Sequence, residues 1–388
     1  VRARVVGLGD LDHHDIERWR ALATRAAEPN PFLEPYFLVS AARHREDYQS
    51  TQLLLVEDGS ELLMALAFTP VKRKLRGMPI NSITTGTPFL MTECERWHPL
   101  VDEEKADAAI ECLLRDMRRL DLPSFIDLER MPADGPLAAA WYSGARAAGV
   151  PIIERGGQEY AYQYRRDEPK PDAPFYGTEP VSLRVDQLST RTRKQYLRAL
   201  RDLEQLSGHE LTIVDRGPDP EALEEYLRLQ AAGWKGDTGR GGGAFLVTGL
   251  DRWFREVTDS FRADARLSVF VLKAGTETIY SSVFFRAGNG LFAVHDAYNE
   301  KFAKFGAGSL GRLAVLSRSM TGSPVDFFDP SMHPKYLDST HLFPDRRRLV
   351  SLLLAQRGVI PKASLRAIPL ARRARDLVST SKSDPGQS

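Results

Sequence analysis

The sequence predicts an α/β protein of two similar units, each a mixed sheet flanked by helices. Three observations predict it. At 388 residues the chain is too long for one ordinary core. The same order of elements (helices, a strand, a tight turn, a returning strand, a helix, a closing strand) runs through it twice, at a spacing far beyond the ~20–50 residues of solenoid repeats. Between the two runs, Arg165 to Pro180 carries four prolines and little apolar content, as an exposed, stiff crossing would.

Taken in order, helical periodicity covers Asp12 to Ala26 and Pro35 to Arg45. Gln52 to Glu57 then has the apolar run of a strand, Asp58-Gly59 makes a tight turn, and Glu61 to Thr69 returns. Val101 to Leu120 places Ile110, Leu113, Leu114 and Met117 on one helical side, and Ser124 to Glu129 closes the unit. In the second half, Thr190–Leu206, Glu221–Ala232 and Arg252–Phe261 are predicted as helices. Leu267–Leu272, Thr278–Phe285 and Gly290–His295 are predicted as strands, followed by a helix over Ser309–Met320 and a last strand at Val325–Phe328. The boundaries expected are a first unit at 1–165, a linker at 166–185, a second unit with the cofactor cleft at 186–360, and a basic, disordered tail at 361–388.

Composition excludes several classes. With 42% hydrophobic and 27% charged residues the chain is globular. Its 53 Lys and Arg balance 52 Asp and Glu, so no global field favours nucleic acid or an anionic membrane, and no DNA partner is expected. Two cysteines, Cys94 and Cys112, make neither a disulfide framework nor a zinc site, and a reducing, cytoplasmic setting is expected without bound metal. No targeting segment and no bilayer-spanning run is visible. Hydrolase elbows, Walker loops and metalloprotease motifs do not occur.

The chemistry concentrates between Phe292 and Val315. There a strand runs through Val294, His295, Asp296 and Tyr298 into a loop holding Lys304, Gly306, Ala307, Gly308 and Ser309, and a helix opens. Glycines let main-chain N–H groups approach an anion, and the helix N-terminus adds unpaired donors and a positive dipole end, an arrangement suited to a pyrophosphate. Two further segments draw attention. Trp234 and Lys235 precede a glycine-rich run, where the Trp either walls an acceptor cleft or packs as a core residue. The helix after Ser189 carries five basic residues from Arg191 and Arg193 to Arg201, which either contact an anionic acceptor or form a solvated face.

Ser189-Thr-Arg-Thr-Arg-Lys-Gln-Tyr-Leu-Arg, Leu229-Gln-Ala-Ala-Gly-Trp-Lys-Gly236, the hairpin 267–285 and the turn Tyr298–Leu310 resemble, in order and spacing, the GCN5-related N-acetyltransferase (GNAT) superfamily. The resemblance is to CelD/BcsL-type acyltransferases with a BioF2-like acetyltransferase domain, and Asn30–Phe37 with the hairpin 52–69 extends it to a tandem, Fem-like architecture. It implies two parallel strands that splay to admit the pantetheine arm of acyl-CoA, acetyl-CoA above all. The acyl group would pass directly to an amine or hydroxyl of a small-molecule, sugar or envelope-precursor acceptor. His295 or Asp296 is then the proton acceptor and Tyr298 the acid for the leaving thiolate. Val294, Lys304 and Gly306 to Ser309 hold the donor, and Trp234, Lys235, Arg191 and Arg193 the acceptor. The alternatives are a Fem-like transferase taking its group from aminoacyl-tRNA, and a non-catalytic scaffold of the same fold.

Overall fold

The computed structural model describes residues 1–75, 78–117, 119–336 and 341–356, with 362, 363 and 365. The tail expected at 361–388 therefore lies outside the described residues, apart from those last three. The first half runs β1 (Arg2–Gly7), α1 (His13–Ala23), α2 (Pro35–His44), β2 (Gln52–Asp58), β3 (Glu61–Leu75), β4 (Met78–Thr84), α3 (Pro88–Glu93), β5 (Leu100–Val101), α4 (Ala106–Asp116), β6 (Phe125–Pro132), α5 (Gly135–Ala147) and β7 (Ile152–Tyr164). The second half runs β8 (Glu179–Pro180), α6 (Thr190–Ser207), β9 (Leu211–Asp215), α7 (Pro220–Ala232), α8 (Phe245–Thr248), α9 (Asp251–Ala263), β10 (Leu267–Ala274), β11 (Glu277–Ala287), β12 (Gly290–Tyr298), α10 (Ala307–Gly322), β13 (Phe327–Asp329) and β14 (Asp345–Ala355).

The apolar runs form strands covered on both faces, so their side chains alternate between two cores. In β2, Leu53 and Leu55 join the core beneath α1 and α2, while Leu54 and Val56 join the one beneath α4 and α5. In β10, Val269 and Val271 share that first core, and Phe270 and Leu272 face α10. The first core also takes in Trp19 and Phe37 from the first half and Trp253 and Phe261 from the second, fusing the halves through apolar burial. Helix α4 starts later than its periodicity implies. Asp102 Oδ1 accepts hydrogen bonds from the main-chain N–H of Glu104 and Lys105, closing a turn before the helix begins.

Strands of both halves share one continuous sheet, ordered β1-β2-β3-β4-β6-β14-β7-β13-β12-β11-β10-β9-β8, with β5 beside β3. The strand β14, last in the chain, does not close the second half on itself. It lies between β6 and β7, antiparallel to both, and β7 in turn borders β13 through Phe327↔Tyr164. Each half lends the other a strand.

The crossing from Arg165 to Pro180 is fastened to the second half. The Arg165 guanidinium donates to the carbonyls of Val325 (2.7 Å) and Ser323 (2.7 Å), and Phe175 N–H donates to Gly322 (2.9 Å). Its charged tips stay exposed, Arg166 among them. Limited trypsin is thus expected to cut first at Arg166, and the nicked protein to elute as one particle in size-exclusion chromatography until denaturant is added. Strand exchange and the shared core hold the pieces together. Separate elution under native conditions would contradict the shared sheet.

Candidate functional site

The site forms where the regular pairing of β12 fails on both sides. Along β11 the register slips: Val283 faces His295 but Phe284 faces Ala293, leaving Val294 as an extra, bulged residue. On its other edge β12 runs parallel to β13 only at Gly290↔Phe327, Leu291↔Phe328 and Phe292↔Asp329. Beyond Phe292 the strands part, and residues 293–298 have no strand partner on that side among the described residues. A cavity of about 310 Å³ fills the parting.

One wall is apolar. Phe284, Phe328 and Phe343 follow one another with ring centroids 5.3 and 5.7 Å apart, and Met332 and Ala293 extend that surface. The opposite wall is a charged cluster around Asp296. Arg312 Nε donates to Asp296 Oδ2 at 2.7 Å, and the Tyr280 hydroxyl donates to the same oxygen at 3.2 Å. Lys235 Nζ lies 3.3 Å from Oδ1 and donates to the main-chain carbonyl of Asp296. Burial works to raise the Asp296 carboxyl, but Arg312 and Lys235 outweigh it and hold the group well below the usual carboxylate range. Burial and then Asp296 push the Tyr280 phenol well up, so it stays a donor.

His295 points to the other face of β12. Its ring meets Phe245 (centroids 4.8 Å) and Phe254 (5.7 Å) edge-on, and its Nε2 is buried 3.7 Å from Glu93 Oε2. The sheet edge thus carries a histidine on one side and an ion-paired carboxylate on the other, and both residues border the cavity.

Helix α10 is preceded by Gly306 as its cap, whose φ of +69° is the left-handed conformation that favours glycine. No side chain caps this end, so the N–H groups of Ala307, Gly308 and Ser309 are unsatisfied within the helix. A Cβ on Gly308 would sit 3.2 Å from the Tyr298 ring, so the glycine lets the helix start close against the end of β12.

Of the residues singled out by sequence, the structure brings Val294, His295, Asp296, Trp234 and Lys235 to one cavity. Lys304, Gly306, Ala307, Gly308 and Ser309 lie outside it, around the head of α10, where Gly308 packs against the ring of Tyr298 at the end of β12. Tyr298 does not line the cavity; the phenols that do are Tyr280 and Tyr336. Arg191 and Arg193 are exposed on α6 and line no part of it, and Arg193 faces Asp186 at 3.3 Å. Trp234–Gly236 and Thr238–Arg240 are wound into two 3-10 turns, with Ala244 N–H returning to the Lys235 carbonyl at 2.8 Å. Sequence reasoning missed Arg312, Tyr280 and Glu93. The hairpin register carried a signal for the second, since Ser282 faces Asp296 and Tyr280 is its diagonal neighbour.

The equivalent place in the first half is closed. There the parallel pair β4–β6 continues past Thr84 through Thr85 N–H to the Asp127 carbonyl (3.1 Å), and Glu129 N–H binds Thr85 Oγ1 (2.9 Å). Arg73, Glu129 and the stacked pair Arg130 and Trp97 occupy the space beside it.

Residues 190–330 match the family model described as Acetyltransferase (GNAT) domain. No curated protein matches the chain. Among solved structures, FemX aligns over 88% of this chain and 95% of its own at 10% identity, with a TM-score of 0.50. A conserved protein of unknown function from Bacteroides thetaiotaomicron VPI-5482 aligns over 89% and 97% at 10% identity, with a TM-score of 0.51. These likenesses are of fold, and they extend over both halves. Among the described residues no helix is long and apolar enough to cross a membrane.

Proposed function

We propose that this chain, a member of the GNAT superfamily through residues 190–330, moves an acyl group from acyl-CoA directly to an amine or hydroxyl of a small-molecule or saccharide acceptor. The observation that carries the reading is the parting of β12 from β13 toward the uncapped start of α10. A bare strand edge suits an extended amide-bearing arm, which adds to the sheet through main-chain hydrogen bonds. The free N–H groups at Ala307 to Ser309 suit a pyrophosphate. The residues present therefore fit acyl-CoA, which would supply a thioester; the 293–298 edge would hold its arm and the head of α10 its phosphates.

The chain's own groups then divide the work. His295 is the proton acceptor for the attacking amine or hydroxyl. Asp296 is not: a carboxylate held by Arg312 and Lys235 is a weak base, and its role is to fix those cations at the cavity wall. The phenol placed to protonate a leaving thiolate is Tyr336, which lines the cavity, rather than Tyr298, which is packed against Gly308. Trp234, 37% exposed, walls the acceptor side with Lys235. Arg191 and Arg193 serve as a solvated face.

Calorimetry with CoA and acetyl-CoA tests the reading. Wild-type protein is expected to bind both. A Gly308→Val variant, whose side chain crowds Tyr298 and the anion site, should bind about 10- to 100-fold more weakly, the loss of one or two charge-assisted hydrogen bonds. Circular dichroism checks that it folds. Native-like affinity in the folded variant would displace the phosphate site. Indifference of the wild type to CoA, with turnover of aminoacyl-tRNA, would replace the donor.

A further inference from the structure

The base assigned to His295 rests on that reading, and the residues around the ring extend it. The His295 side chain is 24% exposed, yet Nε2 is buried and lies 3.7 Å from Glu93 Oε2, so Nδ1 is the ring nitrogen that this reading leaves for the acceptor's proton. Glu93 is the last residue of α3, in the first half, and its side chain is only 7% exposed. It is pinned from behind by Arg45, whose Nη1 lies 2.7 Å from Glu93 Oε1. Arg45 is itself buried over the rings of Phe89 and Trp253 and bound in a fork by Asp47 at 2.9 and 2.7 Å. Burial would raise the Glu93 carboxyl, but His295 and Arg45 outweigh it, so the group is an anion held below its ordinary range. The other elements packed on the ring, α8 and α9, present Phe245 and Phe254, which carry no charge. On β12 itself the neighbouring charge is Asp296, turned to the opposite face and paired with Arg312 and Lys235.

We propose that Glu93 is a positioning residue for His295, so that the active site is a composite to which the first half contributes the orienting carboxylate. The Glu93 anion facing Nε2 favours the Nε2–H tautomer, which leaves the Nδ1 lone pair to take the acceptor's proton. When the acceptor's N–H or O–H proton passes to Nδ1, the resulting imidazolium is balanced by the Glu93 anion, and the proton leaves to the departing sulfur or to water. At 3.7 Å the resting contact is longer than a hydrogen bond and shortens when the ring charges. The strand exchange and shared core hold two groups more than 200 positions apart in this register.

The test uses the full chain. In wild type, ring nitrogen-15 shifts of His295, assigned by comparison with His295→Gln, should show the Nε2–H tautomer; an Nδ1–H ring would overturn the proposal without reference to activity. A Glu93→Gln variant should lose roughly 10- to 100-fold in kcat with donor KM unchanged. Without the anion the charged ring is less favoured, so the acid limb of the kcat–pH profile should move to lower pH. Glu93→Asp, which keeps the charge, should restore that limb and part of the rate, and it serves as the second variant if the Gln protein does not fold. An unshifted limb in folded Glu93→Gln rejects the positioning role. Undiminished kcat in His295→Gln would instead sink the base assignment beneath it.

Discussion

A His295→Gln variant is expected to lose about 10²- to 10⁴-fold in acyl-transfer kcat while binding the donor as wild type does. Glutamine fills much of the space between Phe245 and Phe254 but has no basic nitrogen, so the route for the acceptor's proton is lost. Donor affinity should survive because the contacts proposed for the donor are the main chain of β12 and the head of α10, which the substitution does not touch. Thiol release from acetyl-CoA at saturating acceptor measures the rate, and calorimetry the binding. A parallel loss of donor affinity would mean that the ring holds the sheet edge rather than the proton. An unchanged rate would hand proton transfer to solvent.

The second large effect concerns the opposite face of the same strand. Asp296→Asn removes the anion that Arg312 and Lys235 share, leaving two cations beside one cavity wall. Breaking one partner of a buried pair costs about 3–5 kcal/mol, and the lower end applies here because the Asp296 side chain is 21% exposed. Its folded carboxyl titrates below the unfolded value, so its contribution is fully present above the ordinary Asp pKa of ~3.9 and is lost as pH falls through the lower folded value. The stability deficit of the Asn variant, measured by urea denaturation, should therefore be constant from about pH 5 to 8 and shrink only in stronger acid. A deficit that closes between pH 5 and 7 would show that another group carries the pH dependence. Activity should fall as well, since Lys235 keeps its hydrogen bond to the main-chain carbonyl at 296 but loses the carboxylate that balances its charge.

The hairpin β10–β11 and the helices α6, α7, α9 and α10 were legible because their signals are local. A turn residue such as Gly275, an apolar residue every second position, or one every third to fourth, each specify an element through its immediate neighbours. The same holds for the glycine-bearing entry to α10 and for His295 and Asp296 at a strand end. Strands β1, β4 and β7 had no comparable pattern, and the apolar half of β14, residues 349–355, follows a run of charges. β7 carries Arg155, Gly156, Gly157 and Gln158 in its middle, and β14 opens with Arg346, Arg347 and Arg348, charges that are tolerated because Glu28 and Glu154 receive two of them.

By itself the sequence determined the α/β class and the doubled order of elements, and it singled out the segment from Val294 to Ser309 on which the proposed site is built. Only the tertiary structure decided that β14 returns between β6 and β7, and that β12 and β13 part after three paired residues. It also decided that Asp296 is neutralised by Arg312 and Lys235 while His295 faces Glu93. The physical reason is distance along the chain. Periodicity and turn chemistry report interactions within a few residues, whereas the charge state of a side chain depends on whichever groups the packed cores bring within a few ångströms of it.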